Sequence, residues 1–160
     1  MAKKAEKEKI PGTRLICKNR RVFHDYSVGE RFEAGMVLVG TEVKSCRAGG
    51  GHLNEAYVKF VGDELFLMGG HIAEYVQANQ FNHKPDRDRK LLMHRRELDR
   101  IAVKVHQKGF VIVPISMYFK EGRAKLEIGL AKGQKKEDQR QRIKERDTKR
   151  EMARTMRRRG

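Results

Sequence analysis

The sequence has few cysteines and no long hydrophobic run, and these absences exclude several classes of protein. Its 160 residues include two cysteines, Cys17 and Cys46, too few and too far apart for a disulfide framework or a CxxC metal site. The longest apolar run covers ten residues, 110–119, whereas a membrane-spanning helix needs roughly 18. The lysine-rich N-terminus is not followed by the apolar segment of a secretory signal. We therefore expect a cytoplasmic protein without a membrane partner.

The sequence also lacks the residue patterns of common catalytic and metal sites. Its six histidines stand in no HExxH or similar spacing, and each is more simply a surface or hydrogen-bonded side chain than a ligand. The glycine run 49–51 lacks the Lys-Ser/Thr pair that follows it in a P-loop, so we interpret it as a helix stop. The sequence therefore predicts no catalytic residue, no metal and no cofactor. An enzyme acting on RNA is the less favoured alternative.

What the chain does have is a large excess of positive charge, concentrated at its two ends. Lys and Arg total 37 against 21 Asp and Glu, which gives a formal net charge of +16. Residues 1–22 carry +6, residues 23–131 carry +2 and residues 132–160 carry +8. A small acidic substrate would need one charged pocket, whereas charge spread over two polar arms suits an extended polyanion.

The hydrophobic pattern of residues 23–131, between the two basic ends, predicts a mainly β fold. Strands are predicted at residues 32–39, 57–61, 65–68, 110–119 and 125–130, where apolar residues alternate or run continuously. The second and third of these form a hairpin through Gly62 and Asp63, and Pro114 requires an edge position or a bulge. Because a small sheet removes its edges by closing on itself, we expect a small closed β-barrel.

Two or three short helices are expected at the periphery of this barrel. One is predicted at residues 42–48 with Thr41 as its N-cap, and another runs from His94 to Gly109 with Ile101 on its buried face. Residues 87–90 are interpreted as a solvated charge run before the second helix.

Composition divides the chain into three parts. Residues 1–12 are predicted to be a disordered basic arm, residues 13–133 the barrel domain, and residues 134–160 a basic C-terminal tail. The apolar side chains of the tail, among them Ile143 and Met156, are too few to stabilise an isolated helix. We predict that the tail is disordered when free and becomes helical on a polyanionic partner.

Basic residues alternate with aromatic ones near the start of the body. Arg20 and Arg21 are followed by Phe23, His24 and Tyr26, and such rings can stack on unpaired bases while the cations hold phosphates. This pattern favours a nucleic-acid-binding barrel. A general single-stranded RNA-binding barrel of cold-shock type remains open as an alternative.

A series of motifs, collinear from about residue 16 to residue 140, is more specific. It comprises Asn19-Arg20-Arg21, His24-Asp25-Tyr26, Phe32-Glu33-Ala34-Gly35, Gly40-Thr41-Glu42-Val43-Lys44-Ser45, Arg47-Ala48-Gly49, Phe81-Asn82-His83, Arg87-Asp88-Arg89-Lys90-Leu91-Leu92 and Leu130-Ala131-Lys132-Gly133. Together these motifs resemble the SmpB family of SsrA-binding proteins.

The resemblance implies a six-stranded barrel of oligonucleotide-binding-fold type and an RNA-binding function without catalysis. Members of the family bind the tRNA-like domain of transfer-messenger RNA and bring it to stalled ribosomes for trans-translation. We therefore expect transfer-messenger RNA and the ribosome, including its decoding centre and messenger channel, as partners of a protein that is monomeric when free.

The motifs also imply which residues bind RNA. The positions carried over from them are Asn19, Arg20, Arg21, Glu33, Lys44, Arg47, Arg87, Arg89, Lys90, Leu92, Lys125, Ala131 and Lys132. Lys125 and Lys132 suit phosphate contacts, whereas Glu33 is able to accept hydrogen bonds from a base edge or a 2′-hydroxyl. For Leu92, packing beneath the RNA-binding surface is favoured over direct contact.

The basic tail is implied to bind the ribosome. The residues expected to contribute are Lys135, Lys136, Asp138, Arg140, Ile143, Lys144, Arg146 and Met156. Gln134 and Gln139 stand where the family usually has Lys, so two positive charges are missing at the junction between body and tail. Lys136 and Arg142 are placed to compensate for them.

Overall fold

A computed structural model describes residues 12–78, 81–133 and 136–159 of the chain, and this part is mainly β. In chain order its elements are β1 (Thr13–Lys18), α1 (Val22–Asp25), β2 (Tyr26–Met36), α2 (Gly40–Arg47), β3 (Gly51–His52), β4 (Tyr57–Val61), β5 (Glu64–Met68), β6 (His71–Ile72), β7 (Arg89–Leu92), α3 (Arg95–Lys108), β8 (Val111–Lys120), β9 (Arg123–Gly133) and α4 (Lys136–Arg159). The predicted disordered arm, apart from Gly12, lies outside the described residues.

Seven strands pair in one antiparallel sheet that closes on itself. The order is β8, β4, β5, β7, β2 and β9, and β9 pairs again with β8 to complete a ring of six strands. The seventh strand, β1, pairs with the far half of β8, and β3 and β6 form a separate two-stranded sheet. The three longest strands pair along most of their length, β2 with β9 and β9 with β8. Their outward side is available for a site.

The two closing strands have the pattern that the sequence predicts. Leu126, Ile128 and Leu130 of β9 are buried, as the alternation indicates. On β8 the register shifts between Pro114 and Ser116 where it pairs with β9, so of the two alternatives expected at the proline, an edge position or a bulge, the structure has the bulge.

The predicted hairpin is confirmed, but the first predicted strand is displaced. Tyr57–Val61 pairs with Glu64–Met68 through a turn in which Gly62 has a φ of +63°. The strand expected at residues 32–39 instead begins at Tyr26 and ends at Met36, because pairing with β9 extends it towards the N-terminus. The weak alternation of Tyr26 to Arg31 concealed this part of the strand.

The long predicted helix is confirmed, and the short one begins earlier than expected. The α3 helix spans Arg95–Lys108 and ends at Gly109, whose φ is +65°. The α2 helix starts at Gly40 with Val39 as its N-cap, because the Val39 amide donates to Glu42 Oε2 at 3.0 Å. Thr41 is therefore not the cap, and its hydroxyl is hydrogen-bonded to His83 Nδ1 at 2.9 Å.

Two groups of buried side chains hold the body together. The larger fills the ring and includes Leu65, Ile101, Leu126 and Ile128, all of which are fully buried. A smaller group lies under α1, where Val22 packs with Val113, Ile115 and Ala131. Neither group includes a described residue of α4, so the body does not need this helix for its core. No helix in the described part of the chain is long and apolar enough to cross a membrane.

Candidate nucleic-acid interface

An open groove lies on the outside of the ring, where β2 is flanked by β7 and β9 and where α3 begins. Its lining includes Glu33, Gly35, Leu92, His94, Arg123 and Lys125. The strand register creates this grouping, because Gly35 pairs with Leu92 on one side and with Lys125 on the other. Three residues predicted from separate motifs, Glu33, Leu92 and Lys125, are thus brought together.

Gly35 keeps the floor of the groove open. A Cβ atom at this position would lie 3.4 Å from Leu92 Cβ and 3.9 Å from Lys125 Nζ, in the space between the two side chains. Leu92 is 53% exposed, so it does not pack beneath the surface as expected but forms part of it. The groove therefore has an apolar wall and a cationic wall on either side of a glycine, and Gly35 is a site residue that the sequence reasoning missed.

Glu33 lies next to these walls and is held as a carboxylate. Tyr118 Oη donates a hydrogen bond to Glu33 Oε2 at 2.5 Å, and Lys120 Nζ lies 3.5 Å from the same carboxylate. The Tyr118 hydrogen bond and, to a lesser degree, Lys120 and Lys125 lower the pKa of Glu33, although partial burial opposes them. Burial, followed by the Glu33 contact, raises the pKa of Tyr118. A carboxylate held in this way only accepts hydrogen bonds, which suits a base edge or a 2′-hydroxyl.

Tyr118 and Lys120 were not predicted to belong to the site. They lie on β8 opposite Lys125 and Arg123 of β9, a relation that depends on the register after the bulge. The alternation of residues along β8 indicates that both face outward, but nothing in the local sequence connects them to Glu33, 85 residues away from Tyr118.

Three other predicted RNA-binding residues have buried side chains. Asn19 Nδ2 donates to the Leu53 carbonyl oxygen at 3.1 Å, and Ala131 packs under α1. Arg89 is fully buried, so its guanidinium is not exposed to a ligand in this structure, and its expected part in RNA binding stays a prediction. The residues 87–90 are accordingly not a simple solvated run.

The reason for the burial of Arg89 is a charged cluster with Glu42. Arg89 Nε donates to Glu42 Oε1 at 2.9 Å, and Arg87 Nη2 donates to Glu42 Oε2 at 2.8 Å. Arg89 also donates to the carbonyl oxygens of Gly70 at 2.6 Å and Pro85 at 3.0 Å. Burial alone would raise the pKa of Glu42, but the hydrogen bonds from Arg87 and the Val39 amide and the charge of Arg89 hold it below its usual value. The cluster joins the start of α2 to β7, which carries Leu92.

The remaining predicted residues of the body are exposed or partly exposed, but they lie in separate places. Arg20 and Arg21 precede α1, and Arg21 forms an ion pair with Asp25 at 3.4 Å. On α2, Lys44 Nζ lies 5.7 Å from the Tyr75 ring centre, and Arg47 is exposed. Lys90 pairs with Glu64 at 2.6 Å, and Lys132 Nζ lies 4.7 Å from the Phe110 ring centre. These cations do not share the groove.

The tail is an exposed helix in this structure. The described side chains of residues 140–158 are all exposed, and among the predicted tail residues they include Arg140, Ile143, Lys144, Arg146 and Met156. Lys135 lies outside the described residues, as do the side chains of Lys136 and Asp138. A shallow surface groove on this helix is lined by Arg142, Arg146, Lys149, Arg150 and Ala153, with Glu145 completing the lining.

The described residues contain no grouping suited to a metal ion. In the ranges that the structure covers, no three His, Cys, Asp or Glu side chains are placed to hold one. His83 is buried and hydrogen-bonded through Nε2 to the Ile72 carbonyl oxygen at 2.9 Å, and the rings of His52 and His71 stack 4.4 Å apart.

Comparisons with known proteins agree with the sequence motifs. A family model described as SmpB protein matches residues 16–158. The SsrA-binding protein of Myxococcus xanthus is 54% identical over 149 residues, which cover 93% of this chain and 92% of the relative. The SsrA-binding protein of Geobacter sulfurreducens is 50% identical over 146 residues, which cover 91% of this chain and 95% of the relative.

A solved structure is similar in both fold and sequence. A chain from the structure described as "tmRNA-SmpB: a journey to the center of the bacterial ribosome" superposes with a TM-score of 0.63 and 43% sequence identity. The match covers 79% of this chain and 93% of that chain. Since the family model and these relatives span nearly the whole chain, the protein belongs to the SmpB protein family.

Proposed function

We propose that this protein binds the tRNA-like domain of transfer-messenger RNA and delivers it to stalled ribosomes for trans-translation, without catalysing a reaction itself. Relatives named SsrA-binding protein and a structural neighbour described as a complex of tmRNA and SmpB in the bacterial ribosome support this function. The observation that carries it furthest is the groove in which Glu33, Leu92 and Lys125 meet around Gly35.

We infer that the body, residues 13–133, is the domain that binds transfer-messenger RNA, and that the strand ring is a closed barrel of oligonucleotide-binding-fold type. In the groove, Lys125 binds phosphate, Glu33 accepts a hydrogen bond from a base or ribose, and exposed Leu92 packs against an apolar face of the RNA. The small net charge of residues 23–131, +2, is compatible with this task, because a few placed groups determine which folded RNA fits.

Residues 134–160 form the ribosome-binding tail in this proposal. Its exposed cations neutralise phosphates of ribosomal RNA, and a helical run of them suits the empty messenger channel of a stalled ribosome. We further propose that the protein acts in the cytoplasm, where ribosomes translate, and that it is a monomer before it binds RNA.

Deleting residues 134–160 tests the division between body and tail. We expect the shortened protein to bind a tRNA-like RNA fragment as the full chain does, because neither core group contains a described residue of α4. Peptide tagging on stalled ribosomes should be lost, since the deletion removes twelve basic residues. Loss of RNA binding together with tagging would show that the body is not the binding domain.

A matched variant of the body should weaken RNA binding, which the tail deletion is expected to leave intact. Lys125→Gln keeps the tail but removes the cation beside Gly35, so we expect weaker binding of the tRNA-like RNA and a salt dependence reduced by about one unit of slope. An unstructured RNA of the same length serves as competitor. Equal competition by the unstructured and the folded RNA would favour a general single-strand-binding barrel instead.

A further inference from the structure

A second cationic patch lies outside the groove, around the ring of Phe23. Lys18 Nζ is 5.5 Å and Arg31 Cζ is 5.2 Å from the centre of this ring. Since both distances end at the same point, the two cations are at most about 11 Å apart, close to the screening length of about 8–10 Å at moderate salt. Lys18, at the end of β1, and Arg31, on β2, thus bring two positive charges to one aromatic ring.

The acidic groups near the patch do not neutralise it. Lys18 forms no ion pair with any residue in the described ranges. Arg31 Nη1 lies 3.5 Å from Glu127 Oε1, while the other oxygen of Glu127 accepts a hydrogen bond from Ser116 at 3.0 Å. The Arg31 side chain is still 51% exposed, so much of its guanidinium remains open to a further acceptor. Two cations and one carboxylate leave a net positive patch.

Some other basic side chains on the body have a closer acidic partner. Lys90 lies 2.6 Å from Glu64, and Lys104 lies 2.5 Å from Glu30. These contacts fix neighbouring elements to each other and leave little charge for a ligand. The arrangement around Phe23 differs from these ion pairs and also from the single cations at Tyr75 and Phe110, because one ring orients two cations without cancelling their charge.

The patch is continuous with the groove on the outer side of the sheet. Arg31 and Glu33 are two residues apart on β2 and so share a face, with their Cα atoms about 7 Å apart. Glu127 pairs directly with Glu33 across the β2–β9 ladder and also contacts Arg31, so it lies between the two sites. An extended chain in the groove reaches the patch by following β2 towards α1.

We propose that Lys18 and Arg31, oriented by the Phe23 ring, bind backbone phosphates of the same tRNA-like RNA that occupies the groove. The inference rests on the proposed function and adds a phosphate-binding patch that the sequence motifs did not assign. The geometry of the patch suits a contact with the phosphate backbone of RNA. Two cations lie next to one ring, at the end of a groove in which Glu33 is held as a hydrogen-bond acceptor. The patch therefore contributes affinity and salt dependence rather than choice of base.

Charge-removing variants of the full-length protein test this patch. Lys18→Gln and Arg31→Gln each remove one exposed cation, and we expect each to weaken binding of a tRNA-like RNA fragment about threefold to tenfold and to lower the salt slope by about one unit. The double variant should lower the slope by about two. Phe23→Leu keeps both cations but loses their orienting ring, so we expect a smaller loss of affinity with an unchanged slope. Thermal melts check that all variants remain folded.

Lys59→Gln is the matched control. Lys59 is exposed on β4, which pairs with neither β2 nor β9, and the substitution removes the same charge far from the groove. If the double variant binds the RNA fragment with the affinity and salt slope of the Lys59 variant, the inference is wrong. Unchanged fragment binding with weakened ribosome binding also overturns it, because the patch would then serve ribosomal RNA. If the unmodified protein fails to bind the fragment, the proposed function falls and this inference with it.

Discussion

Acidic side chains have different surroundings in the body and in the tail. In the body, Glu42 binds two arginines, Glu30 binds Arg100 and Lys104, and Glu33 accepts a hydrogen bond from Tyr118. In α4, no ion pair joins two of the described side chains of residues 140–158, although acidic and basic residues alternate there. Both regions are rich in charge, but among the described side chains only those of the body form ion pairs that connect one element to another.

This difference assigns two physical roles to the same residue types. Charges paired within the body join α2 to β7 through Glu42 and Arg89, and β2 to α3 through Glu30 and Lys104, and so contribute to the shape of the groove. Charges on the exposed tail remain available to a polyanion and do not depend on a particular geometry of the free protein. A change in the body should therefore alter stability or fit, whereas a change in the tail should alter attraction to the ribosome.

The largest effect is expected from breaking the buried cluster. Glu42→Gln leaves Arg89 buried without its carboxylate, and loss of one partner of a buried ion pair typically costs about 3–5 kcal/mol. We expect about 3 kcal/mol, since Arg89 keeps its hydrogen bonds to the Gly70, Arg87 and Pro85 carbonyl oxygens. Urea unfolding at pH 7 measures the loss.

Glu64→Gln is the matched control, because it breaks a partly exposed ion pair with Lys90. We expect it to cost less than about 1 kcal/mol. Similar losses in both variants would contradict the distinction between buried and surface charge in the body.

The pH dependence of stability should also depend on Glu42. Its pKa in the folded protein is below the usual value of about 4.3, so the stabilisation is complete above the unfolded-state pKa and is lost as pH falls through the folded-state pKa. Unfolding measured from pH 6 to pH 2 should show this loss in the unmodified protein. The Glu42→Gln variant should be less stable at pH 6 and should lose less stability on acidification; parallel curves for the two proteins would contradict this.

Sequence reasoning succeeded where a structure depends on neighbouring residues. The hairpin at Gly62, the bulge at Pro114 and the end of α3 at Gly109 each follow from local residue preferences. It failed where the outcome depends on distant pairing. Glu42 meets Arg89 across 47 residues, and a charge run gives no local sign that one of its arginines is buried.

The site was predictable to a similar extent. Glu33, Leu92 and Lys125 were identified through their motifs, but their meeting at Gly35 follows from the registers of β2 with β7 and β9. The exposure of Leu92 was also missed: Leu91 and Leu92 are both apolar, but they lie on opposite faces of β7, so Leu91 is buried and Leu92 is exposed.

A smaller effect is expected when one negative charge is added to the tail. Ala153 has Lys149, Arg150 and Arg157 at helical spacings of three or four, whereas Thr148 has Lys144 but also Glu145 and Glu151. We expect Ala153→Glu to weaken ribosome binding about threefold to tenfold at low salt, and Thr148→Glu to weaken it by less than about twofold. Binding of the tRNA-like RNA should be unchanged in both. Equal losses of ribosome binding would show that the tail acts as diffuse charge without a preferred face.

The tail is also expected to differ from the body in whether it is ordered without RNA. Lys136–Arg159 is helical in this structure, and our expectation that it is disordered without RNA stays a prediction. Circular dichroism should show little loss of helical signal when residues 134–160 are deleted, and a gain when the full chain binds RNA. A cooperative melt of the tail in the free protein would contradict the expectation.

The smallest effect is expected at the contact between Tyr118 and Glu33. Tyr118→Phe removes the hydrogen bond that contributes most to lowering the pKa of Glu33, so this pKa should move back towards its ordinary value. A single hydrogen bond at a partly exposed site contributes about 1 kcal/mol, so stability at pH 7 should fall by no more than this amount. Binding of the tRNA-like RNA should weaken only slightly at pH 7, where Glu33 stays ionised, and more strongly as the pH is lowered towards 4, close to the ordinary glutamate pKa of about 4.3. A loss of affinity that is the same at both pH values would mean that Tyr118 contacts the RNA itself rather than holding Glu33 in its charged form.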